Sequence, residues 1–207
     1  PAVFFLVTDF LDGTAIPWWD SIAYVVKHSK KSSITLKLRD ASATVQVQPD
    51  VRRAIVAVLR LFRLHSGGKH DEFIAQLEDQ CGCVAPTVDR SLMMSWAEAK
   101  TLRGRGVTAG GHTVSHPILS NVSLAQQEFE IAESRRRLEA NLGYPVCSFA
   151  YPVGYRGAFS ADTQELVRKA GYQFAFSYYG GAVKLGKVDP FDVTRVGVAG
   201  EDIKLFR

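Results

Sequence analysis

The stretch VTAGGHTVSHP, residues 107–117, carries the pattern on which the predicted fold and function of this chain depend. A Gly-Gly pair and Pro117 flank two histidines, so we expect a strand rather than a helix here, running over 107–113. His112 would close that strand, and the following turn would bring His116 back beside it. Neutral imidazole is a good ligand for zinc and similar metals, although two histidines at this spacing are by themselves weak support for a metal site.

Capped helices alternate with short apolar strands from residue 91 onward. This alternation predicts a parallel sheet or barrel, in which active-site residues follow the carboxyl ends of the strands. An apolar run over 3–8 predicts one more buried strand. The predicted later strands are 107–113, 146–152, 172–177 and 193–198, and the predicted helices are 95–106, 123–143 and 160–171.

Residues 13–89 interrupt this alternation and are predicted to form an insertion within a single domain spanning 1–207. The insertion is predicted to be mostly helical. It has a helix that begins at Pro17, a hairpin over 33–48, and two amphipathic helices after Pro49 and from His70.

The composition places the chain among ordinary globular proteins and excludes several functional classes. Hydrophobic residues make up 46% and charged residues 22%, and the apolar runs are much shorter than the ~20 residues of a membrane span. The net charge of +4 is not gathered on one basic face, so we expect no nucleic-acid partner, while an acidic glycan stays permitted. The three cysteines are expected to be free thiols, which favours a cytoplasmic location without settling it. No signal peptide is visible, and we expect the natural N-terminus to lie upstream of Pro1.

Two motifs, in this order and at this separation, resemble those of the polysaccharide deacetylase family (NodB-homology domains, carbohydrate esterase family 4). The motif H-[ST]-x-x-H is matched by His112 and His116, and the ending Y-P-x-G is matched by Tyr151, Pro152 and Gly154. The segment PWWDSIAYVV is similar to an insert of members linked to bacterial exopolysaccharide clusters. The resemblance covers more than half of the chain.

This resemblance implies an α/β fold, a distorted (β/α)7 barrel of the glycoside hydrolase and deacetylase type, here without its first strand and helix. It implies a metal-dependent amidohydrolase that removes N-acetyl groups from an N-acetylhexosamine-containing polysaccharide or glycan. The metal would be zinc, or cobalt or nickel, with His112 and His116 as ligands. The Tyr151 backbone N–H would stabilise the oxyanion, and Pro152 would line the substrate site.

Trp18 and Trp19 are predicted to stack on sugar rings at the mouth of the barrel. The alternative for both is a purely structural role, in which they pack the helix of the insertion.

The sequence departs from the family pattern at the carboxylates. The family's T-F-D-D-G motif, which supplies an aspartate ligand and an aspartate base, would fall before Pro1. Asp9 and Asp12 in TDFLDG could replace it, but an ordinary loop is the favoured interpretation. Phe149 stands where the family usually has an arginine, and Arg195 in the late region receives no assigned role. We therefore expect residues 1–207 alone to lack the catalytic aspartates and to release negligible acetate.

Two alternatives stay open from the sequence. One is a non-catalytic carbohydrate-binding domain that retains the deacetylase fold, and the other is hydrolysis of a different C–N bond.

Overall fold

The computed structural model describes residues 2–39, 41–66, 68–87, 93–181, 186 and 188–197. The chain divides into two compact units. The sheet unit comprises Pro1–Asp12 and Met94–Arg207, and the inserted unit comprises Gly13–Met93. The predicted insertion, 13–89, thus falls within the inserted unit, and its last two residues lie outside the described residues.

The strands are, in chain order, β1 (Ala2–Leu6), β2 (Ser33–Lys37), β3 (Ser42–Gln46), β4 (Val107–Gly111), β5 (Ser148–Ala150), β6 (Phe174–Ser177) and β7 (Val193–Thr194). The α-helices are α1 (Thr8–Asp12), α2 (Trp18–Lys27), α3 (Val51–His65), α4 (His70–Cys81), α5 (Trp96–Thr101), α6 (Leu124–Leu142) and α7 (Ala161–Lys169). Short 3-10 turns lie at Arg103–Arg105 and Leu119–Asn121.

The sheet unit contains a five-stranded sheet in the order β1-β4-β5-β6-β7, and every neighbouring pair is parallel. The predicted α/β fold with a parallel sheet is therefore confirmed. Because the strands are parallel, the residues that follow β1, β4 and β5 all come to the same edge of the sheet. In the register of β1 and β4, Leu6 is opposite Gly111, so both strands end at the same level.

The glycines at the end of β4 are required by close packing of aromatic side chains. A Cβ at Gly110 would lie 2.6 Å from the Phe5 ring, and a Cβ at Gly111 would collide with the Tyr172 hydroxyl. Any side chain at these positions would displace a core aromatic ring. The Gly-Gly pair therefore lets β4 reach the edge of the sheet where the histidines begin.

The core of the sheet unit lies between the sheet and α6. Ser123 caps the start of this helix through a bond from Gln126 N–H, and Gly143, in the left-handed region at φ 75°, ends it. Ile131 of α6 and Phe149 of β5 are fully buried. Phe149 is therefore a core residue here, and truncation of such a buried aromatic side chain typically costs about 3–5 kcal/mol of unfolding free energy.

The inserted unit combines the antiparallel pair β2–β3 with α2, α3 and α4. Trp18 of α2 is buried and stacks on Phe62 of α3, with ring centroids 4.4 Å apart. Gln80 of α4 accepts a bond from Thr35 N–H at 3.3 Å, and Gln76 of the same helix bonds to the backbone of Lys37. The edge of β2 is therefore covered by side-chain amides of α4.

Several predicted boundaries differ from the observed ones. The TDFLDG segment, expected to be a turn or loop, forms the short helix α1. The strand predicted over 107–113 ends at Gly111, so His112 is the first residue beyond it. The strand predicted over 193–198 is observed at Val193–Thr194, and Val198 lies outside the described residues.

Among the residues that the structure describes, no helix is both long enough and apolar enough to cross a bilayer.

Candidate functional site

The segment after β4 folds into a tight loop that returns His116 to His112. The His112 N–H still bonds to Leu6 O at 3.1 Å, which fixes the position of the first histidine. Thr113 and His116 then adopt left-handed backbone conformations, at φ 71° and φ 62°. Residues other than glycine rarely adopt this conformation, and such residues concentrate at functional sites.

The two imidazole rings meet edge to face within ligand distance of a common point. Their Nε2 atoms are 3.2 Å apart, and the ring planes are inclined by 84°. Two nitrogen ligands of one tetrahedral zinc, each at about 2.0–2.1 Å, lie roughly 3.3–3.4 Å from each other. The predicted pairing of His112 with His116 is therefore observed, and its spacing fits two positions of a metal site.

A backbone carbonyl fixes the tautomer of His112. Its Nδ1 is 2.7 Å from Ala150 O at the end of β5, and a carbonyl only accepts hydrogen bonds, so Nδ1 donates. The lone pair of the neutral ring is then on Nε2, the atom that faces His116. Burial lowers the pKa of His112 to about 4, although the bond to Ala150 acts in the opposite direction. His112 is therefore neutral, as a metal ligand must be, at neutral pH.

Glu130 of α6 binds the loop of residues 112–116, the histidine loop, through hydrogen bonds. Its buried carboxylate accepts bonds from Val114 N–H at 2.8 Å, Ser115 N–H at 2.9 Å and the Ser115 hydroxyl at 2.7 Å. Within the loop, Thr113 Oγ1 accepts from His116 N–H at 2.9 Å. Nothing in the sequence singles out Glu130, because an acidic residue within a long amphipathic helix is usually exposed to solvent.

Asp9 and Asp12, the sequence candidates for the aspartates of the family motif, turn toward Arg137 of α6. Arg137 Nη1 is 2.9 Å from Asp9 Oδ1 and 3.4 Å from Asp12 Oδ2. Asp12 also accepts a bond from the Trp96 indole N–H at 2.5 Å. Burial is the main cause that raises the pKa of Asp9, and the bond to Arg137 acts in the opposite direction.

The backbone of α1 bonds to the histidine loop, because Thr8 N–H donates to Thr113 O at 3.3 Å and Asp9 N–H donates to Val114 O at 3.0 Å. Across the described residues, no three His, Cys, Asp or Glu side chains gather in a group that could hold a metal ion. Within that part of the chain, Asp9 and Asp12 therefore do not complete such a group with His112 and His116.

Tyr151 is part of the core and its backbone donor already has an acceptor. The Tyr151 N–H bonds to Phe176 O at 3.1 Å, and its hydroxyl donates to Phe191 O at 2.8 Å. Its ring stacks on Phe159 with centroids 3.8 Å apart, and burial raises the pKa of the hydroxyl. The role of the Tyr151 N–H as an oxyanion donor stays a prediction, and it would require this N–H to leave Phe176 O.

The residues after Tyr151 form a strained three-residue turn. Gly154 N–H donates to Pro152 O at 2.6 Å, and Val153 between them has φ 60°. This is the pattern of a γ-turn with a positive central φ, which is rare and costly for a β-branched residue. Pro152 itself is buried. The chain thus holds a strained turn directly after β5, at the same edge of the sheet as the histidines.

Arg195, to which the sequence assigned no role, lies beside the histidine loop. It follows β7, donates from Nε to Ser177 O at 3.1 Å, and places its guanidinium 5.3 Å from the centre of the Phe5 ring. That ring is 6.4 Å from the His112 ring. Burial is the main cause of the low pKa of His112, and the positive charge of Arg195 lowers this pKa further.

The predicted sugar-stacking residues Trp18 and Trp19 lie in the inserted unit. Trp18 is buried between Trp19 and Phe62, while Trp19 is half-buried. The ring of Trp18 is thus used in the core of that unit, and a role in sugar binding receives no support from its surroundings.

Comparison with known proteins gives a family match over part of the chain. A family model described as polysaccharide deacetylase matches residues 83–175, which include both histidines and the Tyr151–Gly154 segment. The resemblance drawn from the two motifs is therefore confirmed. A comparison with curated proteins finds no match.

Comparison with solved structures finds two deacetylases and the protein IcaB. The BpsB deacetylase domain from Bordetella bronchiseptica is 12% identical with a TM-score of 0.53, covering 95% of this chain and 60% of that one. The deacetylase PplD from Streptococcus pyogenes is 20% identical with a TM-score of 0.49, covering 55% and 50%. IcaB from Ammonifex degensii is 23% identical with a TM-score of 0.46, covering 55% and 53%. The chain thus spans between 50% and 60% of the length of these structures, and the likeness to BpsB shows the fold.

Proposed function

We propose that this chain removes N-acetyl groups from an N-acetylhexosamine-containing glycan in a metal-dependent reaction. The premise is the match of residues 83–175 to the polysaccharide deacetylase family. The observation that carries this proposal is the pair of imidazole Nε2 atoms 3.2 Å apart at the carboxyl end of β4. Loops at this end of parallel strands are where enzymes of barrel type place their catalytic groups.

In this proposal His112 and His116 hold a divalent metal, zinc or else cobalt or nickel. When bound, such a metal supplies Lewis acidity that polarises an amide carbonyl and activates water. The chain supplies the orientation of the ligands. The Ala150 carbonyl keeps the proton of His112 on Nδ1, and Glu130 fixes the loop that carries His116. Both contacts are of the kind that typically changes metal affinity by about 10–100-fold when removed.

Tyr151 positions the turn after β5 rather than donating to the substrate. Its N–H would have to leave Phe176 O in order to bind an oxyanion, and its buried hydroxyl would have to leave Phe191 O. We therefore assign to Tyr151 the support of the Pro152–Gly154 turn.

The carboxylates favour a second candidate function, a non-catalytic carbohydrate-binding domain. Hydrolysis needs a general base, which typically contributes about 10²–10⁴-fold to the rate. Asp9 and Asp12 both face Arg137, and we assign no other carboxylate of the described residues to this role. This geometry agrees with the expectation that residues 1–207 by themselves have little activity.

The test is acetate release from chitooligosaccharides with zinc or cobalt added. Two chains are compared, residues 1–207 and the same residues together with any in-frame sequence that precedes Pro1. We expect negligible acetate release from the first chain and measurable release from the second, and His112→Ala should abolish that release.

Robust turnover by residues 1–207 that is lost in Asp9→Asn would overturn the assignment of the carboxylates. Binding of the oligosaccharide without release by either chain would establish the binding domain, and release of a different acid would indicate another amide substrate.

A further inference from the structure

The inserted unit contains a cavity of about 510 Å³ that the proposed reaction does not use. It lies between the end of β2, the end of α3 and the first turns of α4, all within the inserted unit. Cavities that bind small molecules typically measure roughly 300–1,000 Å³, so this one has the size of a ligand site.

Positive charges outnumber negative charges among the described residues that line this cavity. Lys37, Arg39 and Lys69 contribute three cations there, and Glu72 contributes one carboxylate. That carboxylate forms an ion pair with Lys69 at 2.9 Å, and both side chains are about two-thirds exposed. Exposed pairs of this kind contribute little, typically up to about 1 kcal/mol, so an anionic ligand can compete for Lys69.

The buried end of the cavity offers a hydroxyl group without a protein partner. Ser66, the residue that follows α3, is only 4% exposed. Among the described residues, its Oγ has no hydrogen-bond partner. Buried polar groups in native proteins are usually hydrogen-bonded, and one that lines a cavity is suited to receive its bond from a ligand or from water.

Apolar side chains line the same cavity beside these polar groups. Phe73 of α4 is buried and meets Phe62 edge to face at 5.2 Å, and Leu38 is half-buried. The lining therefore joins an apolar surface, which suits the C–H face of a sugar ring, to cations and a hydroxyl. Gln76 keeps this wall in place, because its Nε2 donates to Lys37 O at 3.1 Å.

We propose that this cavity of the inserted unit binds an anionic sugar unit, one that carries a carboxylate or a phosphate. The cations Lys37, Arg39 and Lys69 would bind the anionic group, Ser66 would bond to a sugar hydroxyl, and Phe73 with Leu38 would contact the ring. This site is separate from the histidine pair, and its occupation does not depend on deacetylation.

The test is calorimetric titration of residues 1–207 with glucuronic acid, glucose 6-phosphate, inorganic phosphate and glucose. We expect saturable binding of at least one of the two acidic sugars and none of glucose at the same concentrations. The double variant Arg39→Gln/Lys69→Gln should weaken that binding about tenfold or more, and Ser66→Ala should weaken it several-fold. The two acidic sugars decide whether the carboxylate or the phosphate is preferred.

The matched control removes two cations of the same unit that do not line the cavity, in Arg52→Gln/Arg60→Gln. Both of these arginines are exposed on α3. Equal weakening of acidic-sugar binding in this control would reduce the effect to net charge and overturn the site.

Absence of saturable binding by either acidic sugar, or equal binding of glucose, would also overturn the site. Inorganic phosphate binding as tightly as glucose 6-phosphate would show an anion site that does not recognise the sugar. Thermal unfolding of each variant verifies that it is folded.

Discussion

The adjacent strands β1 and β4 end at the same edge of the sheet, and each is followed by side chains able to bind a metal. After β4, the two imidazoles converge with their Nε2 atoms 3.2 Å apart. After β1, the carboxylates of Asp9 and Asp12 turn away to Arg137. A position at the carboxyl end of a parallel strand therefore brings a side chain near a site but does not decide whether it faces the site.

A single helix accounts for the difference between the two strand ends. Glu130 and Arg137 of α6 are seven residues apart, which places them on one helix face. Glu130 accepts from the backbone of the histidine loop and leaves the imidazole rings to face each other. Arg137 binds the side chains after β1 directly. Glu130 of α6 therefore supports the loop after β4 that carries the two histidines, whereas Arg137 of the same helix binds the carboxylates that follow β1.

The largest expected effect is on metal affinity. His112→Ala or His116→Ala should each lower the zinc affinity of the chain on the order of 100-fold or more, because each substitution removes one of the two proposed ligands. Asp9→Asn and Asp12→Asn should leave zinc affinity unchanged, because Arg137 holds both carboxylates. Calorimetry with zinc on the four variants measures the contrast.

His28→Ala is the control for this comparison, because His28 is exposed on the inserted unit and bonds to Tyr24 O through Nδ1. Loss of zinc binding in Asp9→Asn would show that α1 reorients and that the two strand ends act together.

The second prediction concerns the support of the histidine loop. Glu130→Ala leaves the Val114 and Ser115 N–H groups without their acceptor, and should lower the free energy of unfolding by about 2–4 kcal/mol. It should also weaken zinc binding about 10–100-fold, because the loop that carries His116 loses its support. Urea unfolding and zinc calorimetry give the two values.

Glu128→Ala, an exposed carboxylate on the same helix, is the matched control and should change neither value measurably. Normal zinc affinity in a folded Glu130→Ala variant would contradict the role of Glu130.

Local patterns in the sequence predicted the features that depend on neighbouring residues. Ser95, Ser123 and Ser160 were expected to begin helices, and each accepts the capping bond. His112 and His116 were expected to meet, and they do so because the turn between them is formed within five residues. Short-range geometry is encoded in short stretches of sequence, which is why these predictions succeed.

Contacts between distant segments could not be predicted in the same way. Arg137 lies 128 positions from Asp9, and no local pattern indicates that they pair. The N–H of Tyr151 was expected to face a substrate, whereas the alignment of β5 with β6 gives it to Phe176. The helix α1 has only five residues, too few for an apolar periodicity to distinguish it from a turn.

The third prediction is that the free energy of unfolding depends on pH through His112, which follows β4. The folded pKa of His112, about 4, is below the value near 6.5 of an unfolded histidine. Between these values the unfolded chain binds the additional proton, so stability is complete above about pH 6.5 and is lost as the pH falls toward 4. The expected loss is roughly 2–3 kcal/mol of unfolding free energy.

Urea unfolding from pH 7 to pH 4 in the presence of a chelator measures this loss. His112→Gln should flatten the profile, while the exposed-histidine variant His28→Gln should retain it. A profile of equal slope in both variants would assign the pH dependence to other groups.

The smallest expected effect is the coupling between Asp9 and Arg137. Their side chains are about one-quarter exposed and 2.9 Å apart, so the attraction is partly screened by water. A double-mutant cycle with Asp9→Asn and Arg137→Met should give a coupling energy of about 0.5–1.5 kcal/mol, decreasing as salt is added. The comparison cycle is Glu165→Gln with Arg168→Met, an ion pair on α7 whose side chains are about half exposed. Its coupling energy should be smaller, about 0.5 kcal/mol or less.

A coupling energy near zero for Asp9 and Arg137 would mean that the arginine does not hold the carboxylate in solution. Asp9 would then be able to turn toward the histidines, and the distinction between the ends of β1 and β4 would disappear.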